Sequence, residues 1–174
     1  MLLLASLALA KSLAGVSLPD ASTVAETPVV LNGIGLREKY FLDIYVGGLY
    51  LPSPSRDGAA IVAAEVPKRV EMHFVYREVT RDQMIASFTE DFGSQPGVSN
   101  KTQYVDRIVA WLPPSVKRGD VMAFEYLPGV GTRVLLNGQA LGTIPGQDFM
   151  RLVFGVYLGS KPPTEALKAG LLGG

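Results

Sequence analysis

The sequence has no cysteine, and it has one histidine among its 174 residues. Without cysteine there is no disulfide bond, no thiolate nucleophile, and no cysteine-ligated zinc or iron–sulfur site. A single histidine argues against a histidine-based metal site. Any Ser-His-Asp triad would have to use His73. We therefore expect neither a metal ion nor another cofactor.

Charge is also sparse. Charged residues are 18% of the chain, and the 16 Lys and Arg residues equal the 16 Asp and Glu residues in number. This balance provides no basic surface for nucleic acid and no strong attraction to anionic membranes. Hydrophobic residues are 48%, enough for a large core, and the length suits one domain. We predict a single domain without a nucleic-acid partner and without a membrane-spanning segment in the mature chain.

The first ten residues are apolar or small and carry no charged side chain. This run is too short to span a bilayer, and it ends in Ala8-Leu9-Ala10, a small-x-small pattern typical of signal peptidase sites. We predict a signal peptide within residues 1–21, cleaved after Ala10, Ala14 or Ala21, and a domain over residues 22–174. The basic segment that usually opens a signal peptide is missing, so the natural start is expected further upstream. The prediction is a periplasmic or secreted protein; the alternative is a short buried helix.

The first half of the domain is predicted to be mostly extended. Residues 28–31 suit a short strand, Asn32 to Gly35 a turn, and residues 36–51 a strand or strand pair with a bulge at Gly47-Gly48. Alternation over residues 70–76 predicts a strand with His73 on the solvent face.

The second half mixes helices with a strand meander. Thr80 and Gln83 form a capping-box pattern before a helix, and a second helix follows over residues 104–112. Strands are predicted over residues 120–144, with a hairpin at Asn137-Gly138, and two helices follow towards the end. Strands and helices come in blocks, six or seven of the former and four or five of the latter, which predicts the α+β class.

Two segments resemble a known family. Residues 31–41 carry Gly-x-Gly-x-Arg, and residues 43–51 carry Tyr-x-Gly-Gly-x-Tyr. Together with the C-terminal segment 149–173, they make the chain similar to the chalcone isomerase superfamily, including its fatty-acid-binding and bacterial members, over residues 27–173. The resemblance implies an open-faced β-sandwich of antiparallel strands with a layer of helices, and a ligand cleft between the sheet and the helices.

The resemblance also implies a ligand site. Arg37 matches the arginine that lies near the ligand, and Tyr45 matches a tyrosine that contacts the carboxylate in fatty-acid-binding relatives. An arginine offers a planar fork of donors to a carboxylate. In an unbroken strand the two residues would lie about 26 Å apart, so they can share a ligand only if the chain folds back between Lys39 and Asp43.

The catalytic plant enzymes carry Tyr, Lys and Asn along their first long helix, and this chain has Met84, Ser87 and Asp91 at the matching positions. None of the three matches, so the resemblance implies binding without catalysis. Asp91 itself, near the end of its helix, is expected to be solvated. We predict a cleft for a fatty-acid-like carboxylate or a phenolate. The predicted ligand-binding residues are Arg37, Tyr45, Tyr40, Met84 and Phe88.

Two other functions stay open. One is a chalcone isomerase-type intramolecular lyase acting on a phenolic enone, with Arg37 and Tyr45 as catalytic residues. The other is a partner-binding module, which a stable oligomer would favour.

Overall fold

The computed structural model describes residues 10–174. The strands are β1 (Ala10–Leu13), β2 (Val16–Pro19), β3 (Ala21–Val24), β4 (Thr27–Lys39), β5 (Leu42–Leu51), β6 (Lys68–Phe74), β7 (Glu78–Thr80), β8 (Ser115–Lys117), β9 (Val121–Leu127), β10 (Gly131–Leu136) and β11 (Gln139–Pro145). The helices are α1 (Gly58–Ala63), α2 (Arg81–Gly93), α3 (Lys101–Trp111), α4 (Gln147–Leu158) and α5 (Glu165–Leu171). The predicted α+β class is confirmed.

Seven strands form one antiparallel sheet in the order β11-β10-β9-β6-β5-β4-β3. The predicted meander is its β9-β10-β11 edge, and Asn137 and Gly138 form the tight turn with positive φ angles of 50° and 79°. Positive φ at both positions is what a two-residue hairpin turn requires, and Asn-Gly adopts it at low cost.

The helices pack on one face of this sheet and close the main core. Helix α4 lies at its centre, because apolar side chains occur around most of its circumference and eight of them are buried. Helix α2 begins with the predicted capping box: Thr80 Oγ1 accepts from the Gln83 amide at 3.3 Å, and Gln83 Oε1 accepts from the Thr80 amide at 2.9 Å. None of the helices in residues 10–174 is long and apolar enough to cross a bilayer.

The opposite face of the sheet is covered by the separate β1–β2 hairpin and by β3, the edge strand of the sheet itself, whose Ser22 and Thr23 reach Arg69 of β6. Leu18 of β2 and Val24 of β3 are fully buried there, and β3 pairs with β4. His73, predicted on the solvent face, is instead half-buried, with Nε2 2.7 Å from Glu71 Oε1. The prediction failed because strand alternation identifies the two faces but does not show that a later layer covers the second one.

Strands β1 and β2 and the first residue of β3 precede the predicted domain start at residue 22. Residues 1–9 of the predicted signal peptide lie outside the described residues, and the signal peptide stays a prediction. From Ala10 onwards the chain forms the short strands β1, β2 and β3. Tyr50 Oη donates to the Pro19 carbonyl oxygen at 2.9 Å and so ties this segment to β5. Residues 10–21 are therefore part of the described fold.

The predicted turn at Asn32 to Gly35 is wrong, because these residues lie inside β4. The register of β4 against β5 shifts between Leu31 and Gly33, which makes Asn32 a bulge, while Gly47 and Gly48 pair regularly. Gly33 and Gly35 are needed because α5 crosses β4 backbone to backbone: a Cβ on either would overlap a carbonyl oxygen of α5. A glycine pair that predicts a turn thus serves a close helix–strand contact.

Candidate functional site

The hairpin of β4 and β5 brings Arg37 and Tyr45 together. The chain reverses at Tyr40 and Phe41, which have positive φ angles of 52° and 64°. Arg37 and Tyr45 are then direct partners across the two strands. Opposed residues of an antiparallel pair point to the same face with Cβ atoms about 5 Å apart. The chain therefore folds back between Lys39 and Asp43, which is the condition for Arg37 and Tyr45 to share a ligand.

A bulge beside this pair shapes the site. The register of β4 against β5 shifts between Arg37 and Glu38, which leaves Ile44 as the extra residue. The Ile44 carbonyl oxygen accepts from the amides of Val75 and Tyr76, at 3.0 and 3.1 Å. The bulge thus ties the start of β5 to the segment that follows β6, and both become walls of one cavity.

The cavity has a volume of about 350 Å³, within the range of small-molecule sites. It lies between the β4–β5 hairpin, the segment from Tyr76 to Val79, and one flank of α2. Its lining comprises Arg37, Lys39, Tyr40, Leu42, Ile44, Tyr45, Tyr76, Val79, Gln83, Ala86, Ser87 and Asp91. The cavity therefore has aliphatic walls and, at Arg37, Lys39 and Asp91, charged groups.

Two tyrosine hydroxyls lie at the inner end of this site. Tyr45 is 8% exposed, and Tyr157 of α4 donates from Oη to Met72 Sδ at 3.3 Å. Burial raises the pKa of both tyrosines well above the ordinary value, and the Arg37 guanidinium acts in the opposite direction without cancelling it. Both phenols are thus protonated at neutral pH. The Tyr157 proton is already donated to Met72, and Tyr45, which lines the cavity, can donate to a ligand.

Arg37 has few partners within the protein. Its Nη1 donates to the carbonyl oxygen of the neighbouring residue, Glu38, at 2.6 Å. Among the ion pairs within 4.0 Å in residues 10–174, none involves Arg37. Within residues 10–174, the Arg37 guanidinium therefore lines the cavity with further N–H donors that can bind an anion.

Asp91 is an acidic group of the cavity that the sequence did not identify as a site residue. It was expected to be solvated, but it is half-buried and lines the cavity opposite the hairpin. Burial raises the pKa of its carboxyl to about 6, which the Arg37 guanidinium opposes. Gln83, Ser87 and Asp91 recur every four residues, so they share one flank of α2. This polar stripe is the sequence pattern that could have identified Asp91 as a residue of the cavity.

Comparisons with known proteins place this architecture in a family. The family model described as chalcone isomerase-like matches residues 10–173. The chain belongs to the chalcone isomerase-like family. Its structure is similar to the crystal structure of the fatty-acid binding protein AtFAP1 of Arabidopsis thaliana, with a TM-score of 0.79 over 94% of this chain and 96% of that one. The two sequences are 17% identical, so this likeness shows the fold. No curated protein sequence matches the chain.

In this chalcone isomerase-like chain, three of the five predicted ligand-binding residues line the cavity. Arg37 and Tyr45 form its polar end, and Tyr40 stands at its mouth with 83% of its surface exposed. Met84 and Phe88 do not line it; they belong to the apolar core on another side of α2. The direct role of all five in ligand binding stays a prediction.

A second, larger groove of about 700 Å³ runs between α1, α4 and the loop after α2. Its cationic side chains already have partners: Arg56 donates to the Gly173 carbonyl, Lys168 to the Gly159 carbonyl, and Arg151 to the Gln147 side chain. In the smaller cavity, by contrast, the arginine is paired across the hairpin with a buried tyrosine, which offers a second donor to the same anion. The smaller cavity at Arg37 is the stronger candidate.

Proposed function

We propose that this protein binds an amphipathic carboxylate, of the fatty-acid kind, in the cleft between the β4–β5 hairpin and α2, without converting it. The observation that carries the proposal is the pairing of Arg37 with Tyr45 at the polar end of a cavity walled by the hairpin and α2. The fold is shared with a protein named as a fatty-acid binding protein, which supports the same class of ligand.

The chemistry of the polar end suits a carboxylate. The Arg37 guanidinium is charged at every working pH and can donate two parallel hydrogen bonds to the two oxygens. The Tyr45 phenol adds a neutral donor, because its raised pKa keeps the proton in place. Ile44 and Val79 give the ligand chain apolar contacts. A ligand chain that also reaches Met84 or Phe88 would have to displace core side chains.

The test is the affinity for laurate, measured by calorimetry on the purified protein and on Arg37→Gln. Loss of a hydrogen-bonded charge of this kind costs about 1.5–3 kcal/mol, so we expect affinity to fall about tenfold to a hundredfold. Tyr45→Phe removes one neutral donor and is expected to cost less, about 1 kcal/mol.

The matched control is Arg107→Gln, an exposed arginine on α3 away from the cleft. It should bind laurate as the parent does. Equal affinity in the parent and Arg37→Gln would contradict the proposal. Turnover of a chalcone by the parent, followed by absorbance and lost in Arg37→Gln, would favour the isomerase alternative.

We also propose export, with cleavage after Ala10. Of the three candidate positions, this one removes only the first residue of β1, whereas cleavage after Ala14 removes all of β1 and cleavage after Ala21 removes β1 and β2. The family match that begins at residue 10 supports the same boundary. N-terminal sequencing of the protein from the periplasm or medium of its host tests this, and a mature chain that starts at residue 22 would refute it.

A further inference from the structure

Asp91 brings a carboxylate to the position where an anionic ligand has to bind. It lies on the flank of α2 that faces the hairpin, in the same cavity as Arg37 and Tyr45. Its neighbour Glu90 is exposed instead. If the proposed function holds, a ligand carboxylate on Arg37 therefore shares the site with a second carboxylate.

We propose that Asp91 makes ligand binding proton-linked: the cleft takes up an anionic headgroup together with one proton, which resides on the Asp91 carboxyl. This inference rests on the proposed function and adds a specificity to it. The protonated Asp91 can donate its O–H to the ligand anion, and an ionised Asp91 opposes the same anion.

The first step of the argument is the separation of Asp91 from Arg37. Both line the cavity, yet they form no ion pair within 4.0 Å in the described part of the chain. A direct salt bridge would have filled the polar end and kept Asp91 ionised. The open arrangement leaves room for a headgroup between the guanidinium and the carboxyl.

The second step is the set of charges around Asp91. Arg37 and Lys39 face it from β4, the phenols of Tyr45 and Tyr157 lie near it from β5 and α4, and Glu90 adjoins it on α2. Burial raises its pKa most, Glu90 raises it further, and the two cations lower it, which leaves a pKa of about 6. The proton is therefore exchangeable near neutral pH.

The third step is the effect of the ligand. When two carboxylates share one site, the pKa of one rises strongly, because both cannot remain ionised at low cost. A bound anion that engages Arg37 also withdraws the cation that favours ionised Asp91. Between the pKa of the free cleft and the higher pKa of the complex, each binding event takes up a proton, and affinity falls by up to tenfold per pH unit as pH rises.

Decane-1-sulfonate is a suitable probe, because it stays ionised from pH 5 to pH 8 while a fatty acid titrates near the lower end. We expect its affinity for the wild-type protein to fall at least fivefold from pH 5.5 to pH 8, and laurate to follow the same trend above pH 6. Calorimetry in two buffers of different ionisation enthalpy should show uptake of close to one proton near pH 7. In Asp91→Asn both the pH dependence and the proton uptake should be lost, and affinity at pH 8 should rise.

Asp106→Asn is the matched control, the same chemical change at an exposed position of α3, and it should keep the wild-type pH dependence.

Carboxyl NMR of the wild-type protein is a second measurement that needs no variant: the Asp91 resonance should titrate at higher pH in the complex than in the free protein. Binding that is independent of pH, or a dependence that survives in Asp91→Asn, overturns the inference and leaves the proposed function standing. No binding of either ligand at any pH overturns both.

Discussion

Arginine and acidic residues lie on both faces of the sheet. On one face they bond to each other, and on the other they line a cavity. Under the N-terminal strands, Arg69 donates to Glu125 at 2.9 Å and to Ser22 at 3.1 Å, and Arg133 donates to the other oxygen of Glu125 at 2.7 Å. In the cleft on the helical face, the Arg37 guanidinium bonds its neighbouring carbonyl group and faces a cavity.

This difference separates a structural role from the binding role that we propose for Arg37. A buried charge is tolerated when its hydrogen bonds are completed by the protein, and removing one partner then leaves the other uncompensated. A charge beside a cavity keeps its capacity for a ligand and contributes little to folding. The comparison therefore predicts that equivalent mutations on the two faces will affect different properties.

The largest effect is expected from Arg69→Met. The change leaves Glu125 and Glu71, both mostly buried, without their shared cation, while Arg133 still bonds Glu125. We therefore expect a loss of about 2–3 kcal/mol in the free energy of unfolding. Arg37→Met should cost about 1 kcal/mol or less, because it breaks no ion pair within residues 10–174 and removes only the cation that favours the ionised Asp91 carboxyl. Urea unfolding at pH 7 measures both. Similar losses for the two variants would contradict the division between structural and binding arginines.

Local sequence signals predicted the parts of the fold that depend on neighbouring residues. The capping box at Thr80 and the turn at Asn137-Gly138 are fixed by bonds and backbone angles within a few residues, so their patterns are diagnostic. The glycines at positions 33 and 35 misled the prediction, because their reason is contact with a helix more than 130 residues later in the chain.

In the site, too, the residues whose surroundings depend on distant parts of the chain were not predicted correctly. The resemblance identified Arg37 and Tyr45, and the structure pairs them. Asp91 was dismissed as solvated because its burial depends on how α2 packs against a hairpin from another part of the chain. Met84 was placed in the cleft because an apolar helical residue can face either a ligand or the core, and the sequence pattern is the same for both.

An intermediate effect, of opposite sign, is expected from Asp91→Asn. The pKa of Asp91 is raised by folding from an ordinary 3.8 to about 6, so its ionisation weakens the folded state. The penalty is absent below pH 4, grows between pH 4 and pH 6, and is complete above. We expect the variant to be more stable than the wild type by about 1–3 kcal/mol at pH 7.5 and by much less at pH 4.5.

Urea unfolding at the two pH values measures this gain, and Asp106→Asn, an exposed counterpart, should show none. A gain of this kind indicates a group kept for binding at a cost in stability. If Asp91→Asn were instead less stable at pH 7.5, the carboxylate would belong with the structural charges on the other face of the sheet.

The smallest effect is expected at the mouth of the cleft, where Lys39 Nζ lies 3.9 Å from Glu90 Oε2 and joins the hairpin to α2. The two side chains are 37% and 76% exposed, and an exposed pair of this kind contributes less than about 1 kcal/mol. A double-mutant cycle with Lys39→Gln and Glu90→Gln should therefore give a coupling energy below about 0.5 kcal/mol, reduced further in 1 M salt. A coupling energy above 1 kcal/mol would mean that this pair holds the hairpin against α2. The cleft mouth would then share the structural character of the opposite face, and ligand entry would require the pair to open.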